Sequence, residues 1–129
     1  MTSKLHFTVF EYQYRDAANF KAWGSILLTG AFPQAVVEKL VRCLVDECFF
    51  VAEQVGVPAL YEELYVYSDG PTDDDHAYHE FLLVRPATRE EISNLTPWGD
   101  VTKLVGAFLE AKNKWDITLS PHSDPYWWD

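Results

Sequence analysis

Residues 5–29, LHFTVFEYQYRDAANFKAWGSILLT, decide the fold. Leu5 to Arg15 is rich in β-branched and aromatic residues and holds no breaker, which predicts a strand. Its odd positions begin apolar (Leu5, Phe7, Val9) and turn polar at Glu11 and Gln13, whereas its even positions end in Phe10, Tyr12 and Tyr14. The buried face of this strand therefore swaps along its length, or both faces are covered. Asp16-Ala17-Ala18-Asn19 sets turn-forming residues at both corners. Phe20 to Thr29 reads as the returning strand, with Gly24 in its middle and Gly30 closing it. The pair makes a hairpin.

Working outward, Pro33 suits the first turn of a helix, where its missing N–H is not needed. Val37, Leu40, Val41, Leu44, Cys48 and Val51 then recur at helical spacing, which predicts a helix from Pro33 to Val51. Val36, Val45, Phe49 and Phe50 widen its apolar arc, so a second subunit is expected against it and the chain is read as a homodimer. Gly56 and Pro58 end the helix. A strand is expected at Leu64–Tyr67 and another at Ala77–Arg85, joined through an acidic tip to give a second hairpin. Thr88-Arg89-Glu90-Glu91 has the pattern of a capping box. The last helix shows Val101, Leu104, Val105, Phe108 and Ala111 at 3.6-residue spacing. Gly106 inside it costs about 1 kcal/mol against Ala, which predicts a close crossing with another element. The tail, residues 120–129, carries Tyr126-Trp127-Trp128 and is expected to fold back. The expectation is a single α+β domain over 1–129, ordered β-β-α-β-β-α-α: an antiparallel sheet of two hairpins with helices on one face.

Charge is distributed unevenly. The chain has a net charge of −10. From Cys43 to Val84 there are ten acids (Asp46, Glu47, Glu53, Glu62, Glu63, Asp69, Asp73, Asp74, Asp75 and Glu80) and no Lys or Arg. Such a field repels phosphate backbones and anionic lipid and attracts cations or a basic protein. Nucleic acid and membrane are accordingly not expected as partners. The N-terminal residues lack the apolar run of a signal peptide, and no stretch approaches the length of a membrane span, so a cytoplasmic location is expected. Cys43 and Cys48 diverge around the predicted helix and read as small core or flanking residues rather than a disulfide.

The densest titratable segment is Asp73-Asp74-Asp75-His76-Ala77-Tyr78-His79-Glu80. Carboxylates in this number suit a hard cation, and two histidines suit a softer one. The spacing argues against both: on a strand His76 and His79 point to opposite faces, and the Asp triplet lacks the alternation of a calcium loop. No metal or cofactor is expected, and the tip is read as solvated. No nucleophile elbow or phosphate-binding loop occurs, so no catalytic residue is assigned. The binding candidates are Asp73, Asp74, Asp75, His76, His79 and Glu80, together with the aromatics Trp23, Tyr65, Tyr67 and Tyr78. Aromatic walls beside carboxylates suit an organic cation. The expected function is a non-enzymatic binding module whose acidic face meets a basic protein or a cationic small molecule. The alternatives are a small carboxylate- and histidine-dependent enzyme, metal-assisted or not, built on the Asp73–Glu80 loop, and an immunity-type inhibitor of a basic nuclease.

Three segments, Tyr12-Gln13-Tyr14-Arg15-Asp16-Ala17-Ala18-Asn19-Phe20-Lys21, Glu53-Gln54-Val55-Gly56-Val57-Pro58-Ala59-Leu60 and Gly70-Pro71-Thr72-Asp73-Asp74-Asp75-His76, together resemble small bacterial proteins of the kind carried as integron gene cassettes. The resemblance implies a cytosolic bacterial protein of accessory use. That family has no assigned activity, so no site residue is carried over.

Overall fold

The computed structural model describes residues 6–68, 70–72 and 74–122, with only the backbone at 66–68. Strand β1 (Phe7–Arg15) returns as β2 (Lys21–Thr29) in an unbroken antiparallel register, Phe7 opposite Thr29 through Arg15 opposite Lys21. Asn19 closes the turn at φ 71°, a left-handed conformation that Asn tolerates better than most residues. Three further strands complete the sheet: β3 (Phe49–Val51), β4 (Tyr78–Pro86) and β5 (Gly99–Asp100), in the order β3-β4-β1-β2-β5. The class is α+β, but the sheet is mixed, because β5 runs parallel to β2.

The even positions of β1 build the core. Phe10, Tyr12 and Tyr14 are buried, and Phe10 lies within 6.1 Å of the rings of Tyr12, Phe50, Phe81 and Phe108. Helix α5 (Val101–Ala111) closes this face with the five residues its periodicity predicts, Val101, Leu104, Val105, Phe108 and Ala111, all buried. The side chain of Asp100 caps it, accepting from Lys103 N–H at 2.6 Å. Val9 and Leu27 are buried on the opposite face, outside the main core. There Arg85 binds Glu11 at 2.5 Å and Glu91 at 2.7 Å, tying α4 (Arg89–Asn94) to that side. Both faces of β1 are thus covered at this end. The capping box of α4 forms as predicted, Thr88 with Glu91 in both directions.

The predicted helix from Pro33 to Val51 is corrected. Helix α1 spans Gln34–Val41 only. Beyond it Val45 and Phe49 bond each other around a tight turn in which Asp46 and Glu47 take φ of 51° and 57°. Phe49, Phe50 and Val51 then pair with Glu80, His79 and Tyr78 of β4. The apolar run fits a helix and a buried strand equally well, and pairing with β4 decides between them. Its greasy width is spent inside one subunit, with Phe50 and Val51 fully buried, so the sequence argument for a homodimer loses its premise. The strand expected at Leu64–Tyr67 is also corrected. It lies in α3 (Glu62–Ser68), whose first turn carries Glu62 and Glu63 where the helix dipole favours them. The second hairpin therefore does not exist, and β4 is flanked by β1 and β3 instead. Gly106 makes no close crossing, for a Cβ added there would meet nothing within 4 Å. Short helix α2 (Ala52–Val55) ends at Gly56, φ 83°.

Candidate functional site

The loop before β4 is strapped down. Asp75 is buried, with its Oδ1 accepting from the Tyr14 hydroxyl at 2.5 Å and its Oδ2 from Thr72 N–H at 2.9 Å. Ala17 N–H donates to the Asp74 carbonyl at 2.9 Å, fastening the loop to the β1–β2 turn. The expectation of a solvated acidic tip is corrected at Asp75, although the Asp74 side chain is exposed. Asp73 and the side chain of Tyr67 lie outside the described residues.

His76 and His79 serve the fold. His76 Nε2 lies 2.6 Å from the Arg15 carbonyl, while its Nδ1 accepts from Tyr78 N–H at 3.1 Å, so the neutral ring carries its proton on Nε2. Burial lowers its pKa, against the opposing pull of the Arg15 carbonyl and nearby carboxylates. His79, on β4, is fully buried, and its Nε2 accepts from Leu60 N–H at 3.0 Å. Its proton then sits on Nδ1, which has no hydrogen-bond partner among the described residues; the Ala77 carbonyl favours the charged form without reaching bonding geometry. Burial dominates and drives the His79 pKa down to about 3.

Around His79 stands a cluster of tilted and edge-on rings that the sequence does not announce. Tyr14 and Tyr61 lie 5.2 and 5.0 Å from it, and Tyr61 continues to His122 at 4.6 Å. The Tyr61 hydroxyl is 2.7 Å from Ser120 Oγ, and the Tyr65 hydroxyl bonds His122 Nε2. The tail thus folds back as far as His122, while Tyr126, Trp127 and Trp128 lie outside the described residues. Tyr65 is half-buried, and its pKa is raised first by burial, then by the carboxylates of Asp75, Glu62 and Glu53.

Of the predicted site residues, Tyr65, Asp75, His76 and His79 gather around Tyr14 and Tyr61. Glu80 instead pairs with Arg15 at 3.1 Å beside the half-buried Tyr78, and Trp23 is exposed on the opposite sheet face. Sequence reasoning missed Tyr14, Tyr61, Glu53, Ser120 and His122. Only the clustering of Tyr and His in the composition hinted at them, since their separations run to more than a hundred residues. Among the described residues no group of three His, Cys, Asp or Glu could hold a metal ion, and no helix is long and apolar enough to cross a membrane.

A cleft between α1 and α5 lies away from this cluster. Its volume is about 750 Å³, and Val36, Lys39, Asp100, Val105, Gly106 and Leu109 contribute to its walls. None of the predicted site residues lines it. The cleft is mostly apolar, whereas carboxylates act on the Tyr65 hydroxyl. Comparison with protein-family models, curated proteins and solved structures finds no match.

Proposed function

We propose that this protein is a non-enzymatic binding module that takes a cationic group, from a basic protein or an organic cation, at the Tyr65 surface beside Glu53 and Glu62. The observation that carries the reading is the setting of Tyr65: a half-buried ring bonded to His122, whose ring packs on Tyr61, and the Tyr61 hydroxyl donates to the Glu53 carboxylate at 3.2 Å. Aromatic faces in a negative field attract ammonium and guanidinium groups. The enzyme alternative draws no support from the loop, because His76 and Asp75 spend their polar atoms on main-chain groups and on Tyr14, and His79 is fully buried with its Nε2 held by Leu60 N–H. The test is an NMR titration with tetramethylammonium and, separately, a lysine-rich peptide. Saturable shifts centred on Tyr65, Tyr61 and His122 are expected. Shifts confined to other surfaces would remove the reading.

A further inference from the structure

Strand β2 has two edges, and only one is used along its length. Asp16 N–H bonds the Phe20 carbonyl at 3.0 Å at one end of the hairpin, and Gly30 N–H bonds the His6 carbonyl at 2.7 Å at the other. Alternation inward from these ends turns the main-chain groups of Ala22, Gly24 and Ile26 toward β1 and those of Lys21, Trp23 and Ser25 away from it. Strand β5 pairs only with Leu28 and Thr29, and Trp98 N–H takes the Leu27 carbonyl. Among the described residues nothing bonds the outward main-chain groups of Lys21, Trp23 and Ser25. The same segment exposes Trp23 to 63% and Phe20 to 61%. An open edge with large apolar side chains is a template for another strand.

We propose that a second copy of this chain occupies this edge, its β2 antiparallel to the first about a two-fold axis at Trp23. Self-complementarity is the first argument for that occupant. The free positions 21, 23 and 25 are symmetric about Trp23, so Trp23 faces the partner's Trp23 and Lys21 faces the partner's Ser25. Every free N–H and C=O on both edges is then paired, and the two indoles lie side by side.

The register supplies the second argument. It sets the partner's Phe20 opposite Ile26, on the same sheet face. Beside Ile26 lies a groove of about 350 Å³ lined by Ser25, Ile26, Leu27, Pro58, Leu95 and Trp98. The exposed phenyl of each copy enters the groove of the other. Charge is the third argument. Glu11 neighbours Ser25 on β1, on the face that carries Lys21. The partner's Lys21 therefore lies over the small Ser25 side chain and points its ammonium toward Glu11. The interface stands independently of the cation-binding reading and uses none of its residues.

Sedimentation velocity on the full chain tests it, together with three variants. Ser25→Pro removes an N–H that β1 does not use, a change that edge strands tolerate. Phe20→Glu puts a charge into the groove. Trp23→Cys, in a Cys48→Ser background, places two thiols across the axis, where Cα atoms of a bonded antiparallel pair stand about 5.5 Å apart, within disulfide range. The wild type is expected at twice the 14.9 kDa chain mass. Phe20→Glu and Ser25→Pro are expected to weaken dimerisation by at least ~10-fold, as loss of a central contact does, with far-UV circular dichroism unchanged. Oxidised Trp23→Cys is expected to form a covalent dimer. A wild type that stays monomeric at about 100 μM, a concentration at which even micromolar affinity fills the interface, overturns the proposal. So does a dimer that persists in Phe20→Glu while Trp23→Cys fails to cross-link, and these two variants decide the matter even if Ser25→Pro does not fold.

Discussion

The main-chain N–H of Leu60 donates to Nε2 of His79 at 3.0 Å inside the core, and this bond requires the imidazole to stay neutral. The folded-state pKa near 3 lies below the ordinary value of 6.5, so between those values the unfolded chain binds a proton that the folded chain refuses. Stability is full above about pH 6.5 and is lost as pH falls toward 3. Acidification from pH 6.5 to 5 is expected to cost about 2 kcal/mol from this group, with His76 adding in the same direction. Urea denaturation across that range checks it. His79→Gln can keep an acceptor for Leu60 without titrating, and its pH slope is expected to be shallower than that of the wild type.

The turn at Asp46 and Glu47 holds two non-glycine residues in left-handed conformation, φ 51° and 57°. Tight turns with two positive φ values favour Asn-Gly, because glycine carries no Cβ penalty there. The double change Asp46→Asn and Glu47→Gly is expected to raise stability by about 1 kcal/mol, read as a higher melting temperature. An unchanged or lower value would mean that the carboxylates make up for the backbone cost.

Two glycines predict opposite outcomes for the same substitution. A Cβ on Gly106 meets nothing within 4 Å, so Gly106→Ala is expected to stabilise α5 by up to about 1 kcal/mol. A Cβ on Gly24 would lie 2.8 Å from Leu60 Cδ2 and 3.1 Å from Tyr12 Cζ, both in the core. Gly24→Ala is expected to destabilise by about 1–3 kcal/mol through overpacking. Thermal melts of the pair decide it.

The first hairpin, the Thr88 capping box and the inward face of α5 were legible because each is written in local chemistry: turn residues, a cap spacing, a 3.6-residue period. The chain from Cys43 to Val51 was not. Phe49-Phe50-Val51 becomes a strand only because β4 lies beside it, and no local signal encodes that pairing. The candidate site was half legible. Asp75, His76 and His79 stood out as titratable residues, but their partners Tyr14, Tyr61 and His122 come from strand, helix and tail positions that only the fold assembles. Asp75 looked solvated because its sequence neighbours are charged, whereas the Tyr14 hydroxyl takes it into the interior.

The central claim is that the carboxylates around Tyr65, rather than net charge at large, hold a cationic ligand. Isothermal titration of a lysine-rich peptide into two charge-matched variants tests it most directly. Glu53→Gln with Glu62→Gln removes two carboxylates that act on Tyr65, and Glu38→Gln with Glu110→Gln removes two exposed ones on α1 and α5. The account predicts that the first pair weakens binding by ~10-fold or more, the worth of about 1.4 kcal/mol, while the second shifts it no further than added salt does. Equal losses in both variants, or no saturable binding to the wild type, would contradict it.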